Sequence, residues 1–286
     1  MTLRYHISHS LNYSYSKPVF FEPLLVRLRP RCDSIQQVID FKLTVIPIPE
    51  GITEHIDQEC NNAATLWFTG SYRTLSISAT SQVEVIPANP FNFIITKTAT
   101  LTLPAHYPKS YRRSLQTYMK RRGGSTHVDG FIQPVVDEAA GDTTTFLTKF
   151  VLLIYKQFDK IARETGAPLA PDETLALRRG ACRDLAVLFM EGCRAVGLAA
   201  RFVSGYMWSE ELPEKRDLHA WVEVFIPGGG WRGFDPSTGL AVTERHIAIA
   251  TAANPLDAAP VSGAFRGHSA YSKLEYDVSI DLSRDS

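Results

Sequence analysis

The 286-residue sequence has no run approaching the roughly twenty apolar residues needed to span a bilayer. Its first ten residues, Met1 to Ser10, hold no unbroken apolar stretch of the signal-peptide kind. A cytoplasmic chain that neither crosses nor is anchored to a membrane is therefore expected. Cysteine is scarce: Cys32, Cys60, Cys182 and Cys193 are too few and too scattered for a disulfide framework in a chain this long, which suits a reducing compartment. There is no Cys-x-x-Cys pair and no His-Glu-x-x-His, so no spacing supports a zinc site, and no metal or cofactor is expected. Charge of one sign is also missing. Thirty Lys and Arg balance thirty Asp and Glu, so binding to nucleic acid would need a local patch, and none is expected as a partner. The one basic stretch, Lys109, Arg112, Arg113, Lys120, Arg121 and Arg122, is interleaved with Tyr111 and Tyr118 and flanked by Pro108, Gly123 and Gly124. It reads as a solvated connection or helix face. Internal repeats and low-complexity segments are absent. The remaining composition, 44% hydrophobic and 21% charged, is that of an ordinary globular protein.

The length is about twice that of a common domain, and the hydrophobic pattern changes near residue 104. Two domains are expected, 1–104 and 105–286, in an α+β protein. In the first, Phe41 to Val45, Thr74 to Ala79 and Gln82 to Ile86 alternate with period two, and Pro18, Pro23, Pro30, Pro47, Pro49 and Pro87 punctuate the runs. Several half-apolar strands that must cover one another predict a β-sandwich. In the second, Asp142 or Thr143 caps a helix with Phe146, Phe150, Leu153, Ile154, Phe158 and Ile161 at helical spacing, ended by Gly166 and Pro168. Another helix begins beside Cys182, with Leu185, Leu188, Phe189, Cys193 and Val196 on one face and Gly197 as terminator, so Cys193 is expected inside as a small apolar residue. Strands are predicted over 200–206, 218–226 and 231–235. At the end of the chain Leu274, Tyr276, Val278, Ile280 and Leu282 alternate with polar residues.

Three points put a reactive side chain at the end of a rigid element. Cys182, in Arg179-Gly-Ala-Cys-Arg-Asp184, stands at a helix start, where unpaired N–H groups and the positive end of the dipole favour a thiolate. Lowering a thiol from pKa ~8.5 by two units needs ~2.7 kcal/mol. The helix terminus supplies about 1 to 2 kcal/mol, so a cationic partner must supply the rest. His219 begins a strand whose apolar face is Leu218, Ala220, Val222, Val224 and Ile226, and projects beside Trp221 from the other face. Asp235 ends the next strand, where Pro236 forces the chain out of the sheet. Singly, each reads as a buried thiol or a strand-end polar residue; together they supply a nucleophile, a base and an orienting carboxylate. For His219 and Asp235 to meet across a hairpin, opposed positions must have an even sum, as when Phe225 faces Trp231. An odd-numbered loop or a bulge across Gly228, Gly229 and Gly230 is therefore expected.

The segments Arg178 to Asp184, Gly197 to Tyr206, Leu218 to Val224 and Gly230 to Ser237 resemble those of the bacterial transglutaminase-like proteins, a group described as candidate cysteine proteases. His9 to Tyr15 and Leu28 to Arg31 are similar to the β-rich region preceding the catalytic domain in that family. The resemblance implies a papain-like, transglutaminase-like α/β catalytic domain in which Cys182 attacks a carbonyl, His219 moves the proton and Asp235 holds the imidazole. Two departures, Ser237 where the family commonly has threonine and Cys60 before Asn61 where glycine is expected, are both expected to leave these three residues untouched.

Hydrolysis of an amide, peptide or isopeptide bond in a peptide or protein is the leading expectation. Transfer of the acyl group to an amine uses the same residues, and a non-catalytic binding module on the same fold is the third alternative. The backbone N–H of Cys182 is the expected oxyanion donor. Tyr206, Trp208 and Trp221 are expected to wall a substrate cleft or to sit in the core. Arg183 is expected to be solvated and Asp184 to complement the helix dipole.

Overall fold

The structure is a computed structural model that describes residues 2–97, 100, 102–122, 126–163, 166–210 and 217–284. Strands fill the first part of the chain: β1 (Leu3–Phe21), β2 (Leu24–Val26), β3 (Gln36–Ile46), β4 (Gly51–Ile56), β5 (Asn62–Trp67) and β6 (Tyr72–Val85). Helices and short strands follow: α1 (Lys109–Met119), α2 (Thr126–Glu138), α3 (Thr143–Gln157), β7 (Asp159–Lys160), α4 (Pro171–Leu177), β8 (Arg179–Gly180) and α5 (Cys182–Ala195). The chain then returns to strands: β9 (Ala200–Met207), β10 (His219–Ile226), β11 (Gly230–Asp235), β12 (Leu240–Ala241), β13 (His246–Ala252), β14 (Val261–Ser262), β15 (Phe265–Arg266) and β16 (Ser272–Arg284). No helix among the described residues is long and apolar enough to cross a membrane.

The long strand β1 sits between β6 and β16, antiparallel to both, with β3 beyond β6 and β15 against the end of β1. Period two sets one buried face across the three central strands. Tyr5 stands opposite Val83 and Leu282, Ile7 opposite Ser81 and Ile280, and Leu11 opposite Ile77 and Tyr276. That single face serves two cores. Leu11, Val19, Leu75, Ile77 and Ala79 join Leu24, Val26, Ala64 and Leu66 from a second sheet of order β14-β2-β5-β4. Tyr5, Ile7, Val83, Val278 and Ile280 instead join the core formed by α2, α3, α5 and the strands β9 to β13. Each fully buried Leu, Ile, Val or Phe contributes about 1.5–3 kcal/mol, so the two cores fasten the N-terminal strands to the rest of the chain.

The expected change of pattern near residue 104 marks the passage from strands to helices, but the last strands do not stay with the second part. β14 pairs with β2, and β15 and β16 pair with β1, so residues 261–284 complete the sheets that the first hundred residues begin. The clean alternation of β16 is the pattern of a strand laid beside β1, with Val278 and Ile280 buried and the intervening residues exposed.

Asp142 caps α3, its carboxylate accepting from the Thr145 N–H at 2.7 Å. α1 carries Lys109, Arg112 and Arg113 of the basic stretch and buries Leu115; beyond its end Arg121 is ion-paired with Glu191 and Asp129, while Gly123 and Gly124 lie outside the described residues. The sequence pattern did not foretell α2, which contains Pro134, nor α4. α2 turns Val128, Ile132 and Val135 into the core, and this packing outweighs the hydrogen bond that proline cannot donate.

The sheet that carries the candidate site has the order β12-β11-β10-β9-β13, every neighbouring pair antiparallel. Its β10–β11 hairpin pairs Phe225 with Trp231 and Ile226 with Gly230, an even register closed over residues 227–229. The parity required for His219 and Asp235 to meet is thus present.

Candidate active site

α5 begins at Cys182, where the chain turns from the short strand β8 into helix. Ala181 is extended, and Asp184 reaches back to accept the Ala181 N–H at 2.9 Å. Gly180 is fixed by close approach: a Cβ there would lie 2.9 Å from the Cβ of Asp184. Asp184 lies in the first turn of α5, where a carboxylate complements the helix dipole as expected, but it is more than that. It is fully buried, ion-paired with Arg163, and also accepts from the Leu169 N–H at 2.8 Å. Arg183, expected in solvent, is half-buried, and burial followed by the charge of Arg163 lowers its pKa. The result is a rigid helix start with Cys182 half-buried on it.

A chain of phenylalanine ring contacts ties this helix to the hairpin. Phe150 of α3 stacks on Phe189 of α5 with centroids 5.0 Å apart, and Phe189 meets Phe234 of β11 at 5.9 Å. Phe234 immediately precedes Asp235. On the other strand, His219 stands opposite Gly205 of β9, where a Cβ would lie 2.2 Å from the Ile247 carbonyl oxygen and 2.5 Å from the Trp221 ring. Glycine there lets β9, β10 and β13 close around the start of β10.

The structure brings Cys182, His219 and Asp235 together. Cys182 stands close enough to His219 to help raise its pKa, and His219 Nε2 lies 2.8 Å from Asp235 Oδ2. Asp235 is fully buried, and the His219 side chain is 13% exposed. Burial works against a charge on either, yet the neighbouring charges win. Desolvation opposes His219 protonation, but the charge and hydrogen bond of Asp235, helped by Cys182, hold its pKa well above 6.5. Burial alone would raise Asp235, whereas the charge and hydrogen bond of His219 and the hydrogen bond of His246 hold it well below the usual carboxylate range.

The sequence reading misjudged one group at the site, Ser237, and missed another, His246. Ser237, expected to leave the three residues untouched, donates its hydroxyl to Asp235 Oδ1 at 2.7 Å and its N–H to the same oxygen at 2.9 Å; the hydroxyl also lies 3.4 Å from His219 Nε2. Serine supplies the hydroxyl that threonine would. His246, first residue of β13, places Nε2 3.2 Å from Asp235 Oδ2 and its ring edge-on to Trp221 with centroids 5.2 Å apart. Locally His246 only begins a run of buried small and aliphatic residues, so nothing in its own segment marks it.

His219, Asp235 and His246 bring three potential ligand atoms within 4.8 Å of one another. Both nitrogens, however, stand at hydrogen-bond distance from the one oxygen, so the geometry is that of N–H donors on a carboxylate.

Of the three aromatic residues, Tyr206 and Trp221 lie in the core. Tyr206 and Trp221 are each 1% exposed. Tyr206 turns its hydroxyl to His9 at 2.9 Å, and Trp221 packs with Val203 and Ala248. Trp208 is half-buried, near Tyr5 at 6.4 Å between ring centroids. Cys193 is fully buried, its thiol pushed up by burial, and Cys32 and Cys60 are exposed.

Residues 5–84 match the bacterial transglutaminase-like N-terminal region, and residues 133–236 match the transglutaminase-like superfamily. The second match contains Cys182, His219 and Asp235 and stops short of His246. An uncharacterized protein of Mycobacterium tuberculosis is 28% identical over 300 residues, covering 98% of this chain and 93% of its own. A protein-glutamine gamma-glutamyltransferase of Pseudomonas aeruginosa is 36% identical over 84 residues, 27% of this chain and 13% of that one. Among solved structures, a "putative cysteine protease" from Cytophaga hutchinsonii superposes with a TM-score of 0.76 at 22% identity, covering 100% of this chain and 92% of that one, a likeness of fold.

Proposed function

We propose that this chain, which carries a bacterial transglutaminase-like N-terminal region and a transglutaminase-like core, is a thiol-dependent enzyme that hydrolyses an amide, peptide or isopeptide bond of a peptide or protein through a thioacyl intermediate. One observation supports the reading above the others. Cys182, at the first residue of α5, stands against His219 and helps raise its pKa, and His219 Nε2 is held 2.8 Å from the buried Asp235.

The proton of Cys182 passes to His219, leaving a thiolate beside an imidazolium. The helix N-terminus and the imidazolium both favour that thiolate. The sulfur attacks the substrate carbonyl carbon, and the oxyanion is received by the Cys182 N–H at the start of α5. As the C–N bond breaks, His219 gives its proton to the departing amine, leaving the acyl group on Cys182 as a thioester. Water then attacks, with His219 taking its proton, and the S–C bond breaks to release the carboxylate and restore the thiol. Asp235 accepts from His219 throughout and keeps the imidazole aimed at the sulfur. A reducing compartment such as the cytoplasm would preserve the thiol this chemistry needs.

The test is incubation with a library of glutamine- and isopeptide-containing peptides, with and without a primary amine, beside the Cys182→Ala variant. Carboxylate products formed only by the wild type are expected. Incorporation of the amine in preference to water would make the activity acyl transfer. Identical behaviour of the wild type and Cys182→Ala would leave a binding module.

A further inference from the structure

Asp235 Oδ2 meets two imidazoles. His219 Nε2 lies 2.8 Å from it and His246 Nε2 lies 3.2 Å away. The tautomer of His246 follows from its other nitrogen. The Thr243 N–H points at His246 Nδ1 at 3.4 Å, and a backbone N–H can only donate, so Nδ1 is the acceptor and the proton sits on Nε2. His246 is thus placed to donate from Nε2 to the carboxylate. Oδ1 is filled from the other side by the hydroxyl and N–H of Ser237. With four donors on its two oxygens, the carboxylate has no freedom to rotate away.

We propose that His246 is a positioning residue for the Cys182–His219 pair: from β13 it fixes the carboxylate plane of Asp235 and draws off part of the negative charge that His219 would otherwise feel. The inference rests on the thiol–imidazole reading of the site. His246 belongs to a different strand from either partner and lies beyond the matched core, so it is a separate support brought to the site by the fold. It is buried, and the titratable groups placed against it are Asp235 from β11 and His219 from β10; the Trp221 ring from β10 covers it without charge. A hydrogen bond that stabilises the carboxylate weakens its hold on the His219 proton. Without His246, His219 should hold its proton to higher pH and give it up less readily to a leaving amine.

The experiment measures the rate of Cys182 alkylation by iodoacetamide against pH, which needs no knowledge of the substrate. The wild type is expected to show two steps, one where the thiolate–imidazolium pair forms and one where the imidazolium loses its proton. In His246→Ala the second step should move upward by about one pH unit, since one unit corresponds to the strength of a single hydrogen bond to a charged group. His246→Gln, whose amide N–H reaches the place of Nε2, should return it, and the shorter His246→Asn should not. If His246→Ala does not fold, the Gln and Asn variants decide: a difference between them in the second step supports the role, and profiles that both coincide with the wild type overturn it. ¹⁵N resonances of the wild type give an independent reading, with His246 protonated on Nε2 expected and protonation on Nδ1 contrary to the proposal. A wild-type profile with a single step near the ordinary thiol pKa of ~8.5 would instead remove the thiol–imidazole pair itself, and the role of His246 with it.

Discussion

His9 Nδ1 of β1 lies 2.9 Å from the hydroxyl of Tyr206 of β9, a buried polar contact joining the N-terminal sheet to the sheet that carries the candidate site. Burial dominates its titration and lowers the His9 pKa to about 4, the charge of Asp277 on β16 opposing only in part. A histidine kept neutral in the folded state contributes stability at pH above 6.5. That contribution is lost as pH falls from 6.5 through about 4, because the unfolded chain takes up the proton first. The loss should reach about 3 kcal/mol by pH 4. His219 works in the opposite direction, its raised pKa favouring the fold below 6.5 and losing effect as pH rises through its folded value. Urea unfolding of the wild type and His9→Asn at pH 7.5, 5.5 and 4.5 separates the two. The stability of the wild type should fall more steeply with acid than that of the variant, and parallel curves would contradict the assignment.

Asp184 should prove a structural anchor of α5. It is fully buried and takes bonds from Arg163, Leu169 N–H and Ala181 N–H. Removing the carboxylate leaves the Leu169 and Ala181 N–H groups without their acceptor and takes an ion-pair partner from Arg163, so Asp184→Ala should cost about 3 kcal/mol. Chemical denaturation measures it; a loss below ~1 kcal/mol would show that Asp184 is dispensable for the fold.

Cys60 has φ of 63°, in the left-handed region that L residues enter at a cost of about 1–2 kcal/mol, and it precedes the buried Asn61, which accepts from Thr251 N–H at 2.7 Å and donates to Thr251 O at 2.9 Å. Glycine removes that cost but loses more entropy on folding, so Cys60→Gly should stabilise the protein by about 0.5–1 kcal/mol. Thermal unfolding reads it, and a lower Tm than that of the wild type would contradict the argument.

Much of the site was legible in the sequence because its chemistry is concentrated at element ends. Cys182 after a glycine at a helix start, and His219 and Asp235 bracketing a glycine turn, are each visible within a few residues. Strand parity then fixed what the turn had to do, and the pairing of Phe225 with Trp231 follows it. What stayed hidden depends on contacts between distant segments. β16 reads as an amphipathic strand, but only the join to β1 shows that it belongs with the N-terminal sheet. Asp184 looks like an ordinary first-turn acid until Arg163 and the backbone around residue 169 close over it. His246 reaches Asp235 only because β13 pairs with β9 on the far side from β10. Tyr206 and Trp221 resembled cleft aromatics by position alone, and their near-complete burial depends on β1 and β13.

Substitution of the three central residues should separate their roles on whichever peptide the library yields. Cys182→Ala and His219→Ala should each lower turnover by at least about 10⁴-fold, and Asp235→Asn should leave a measurable residue because its part is orientation. Asn retains acceptor capacity toward Ser237, whereas Asp235→Ala strands buried donors at a cost of about 1–3 kcal/mol and confounds the reading. Wild-type turnover in Cys182→Ala would contradict the mechanism.

The most direct measurement treats the folded protein with substoichiometric iodoacetamide at pH 6 and maps the adduct by mass spectrometry. Cys32 and Cys60 are exposed and Cys182 is half-buried, so accessibility alone would direct the reagent to the first two. The helix start and the neighbouring His219 should reverse that order and put most of the label on Cys182. Label on Cys32 and Cys60, with Cys182 left unmodified, would contradict the assignment of Cys182 as the nucleophile.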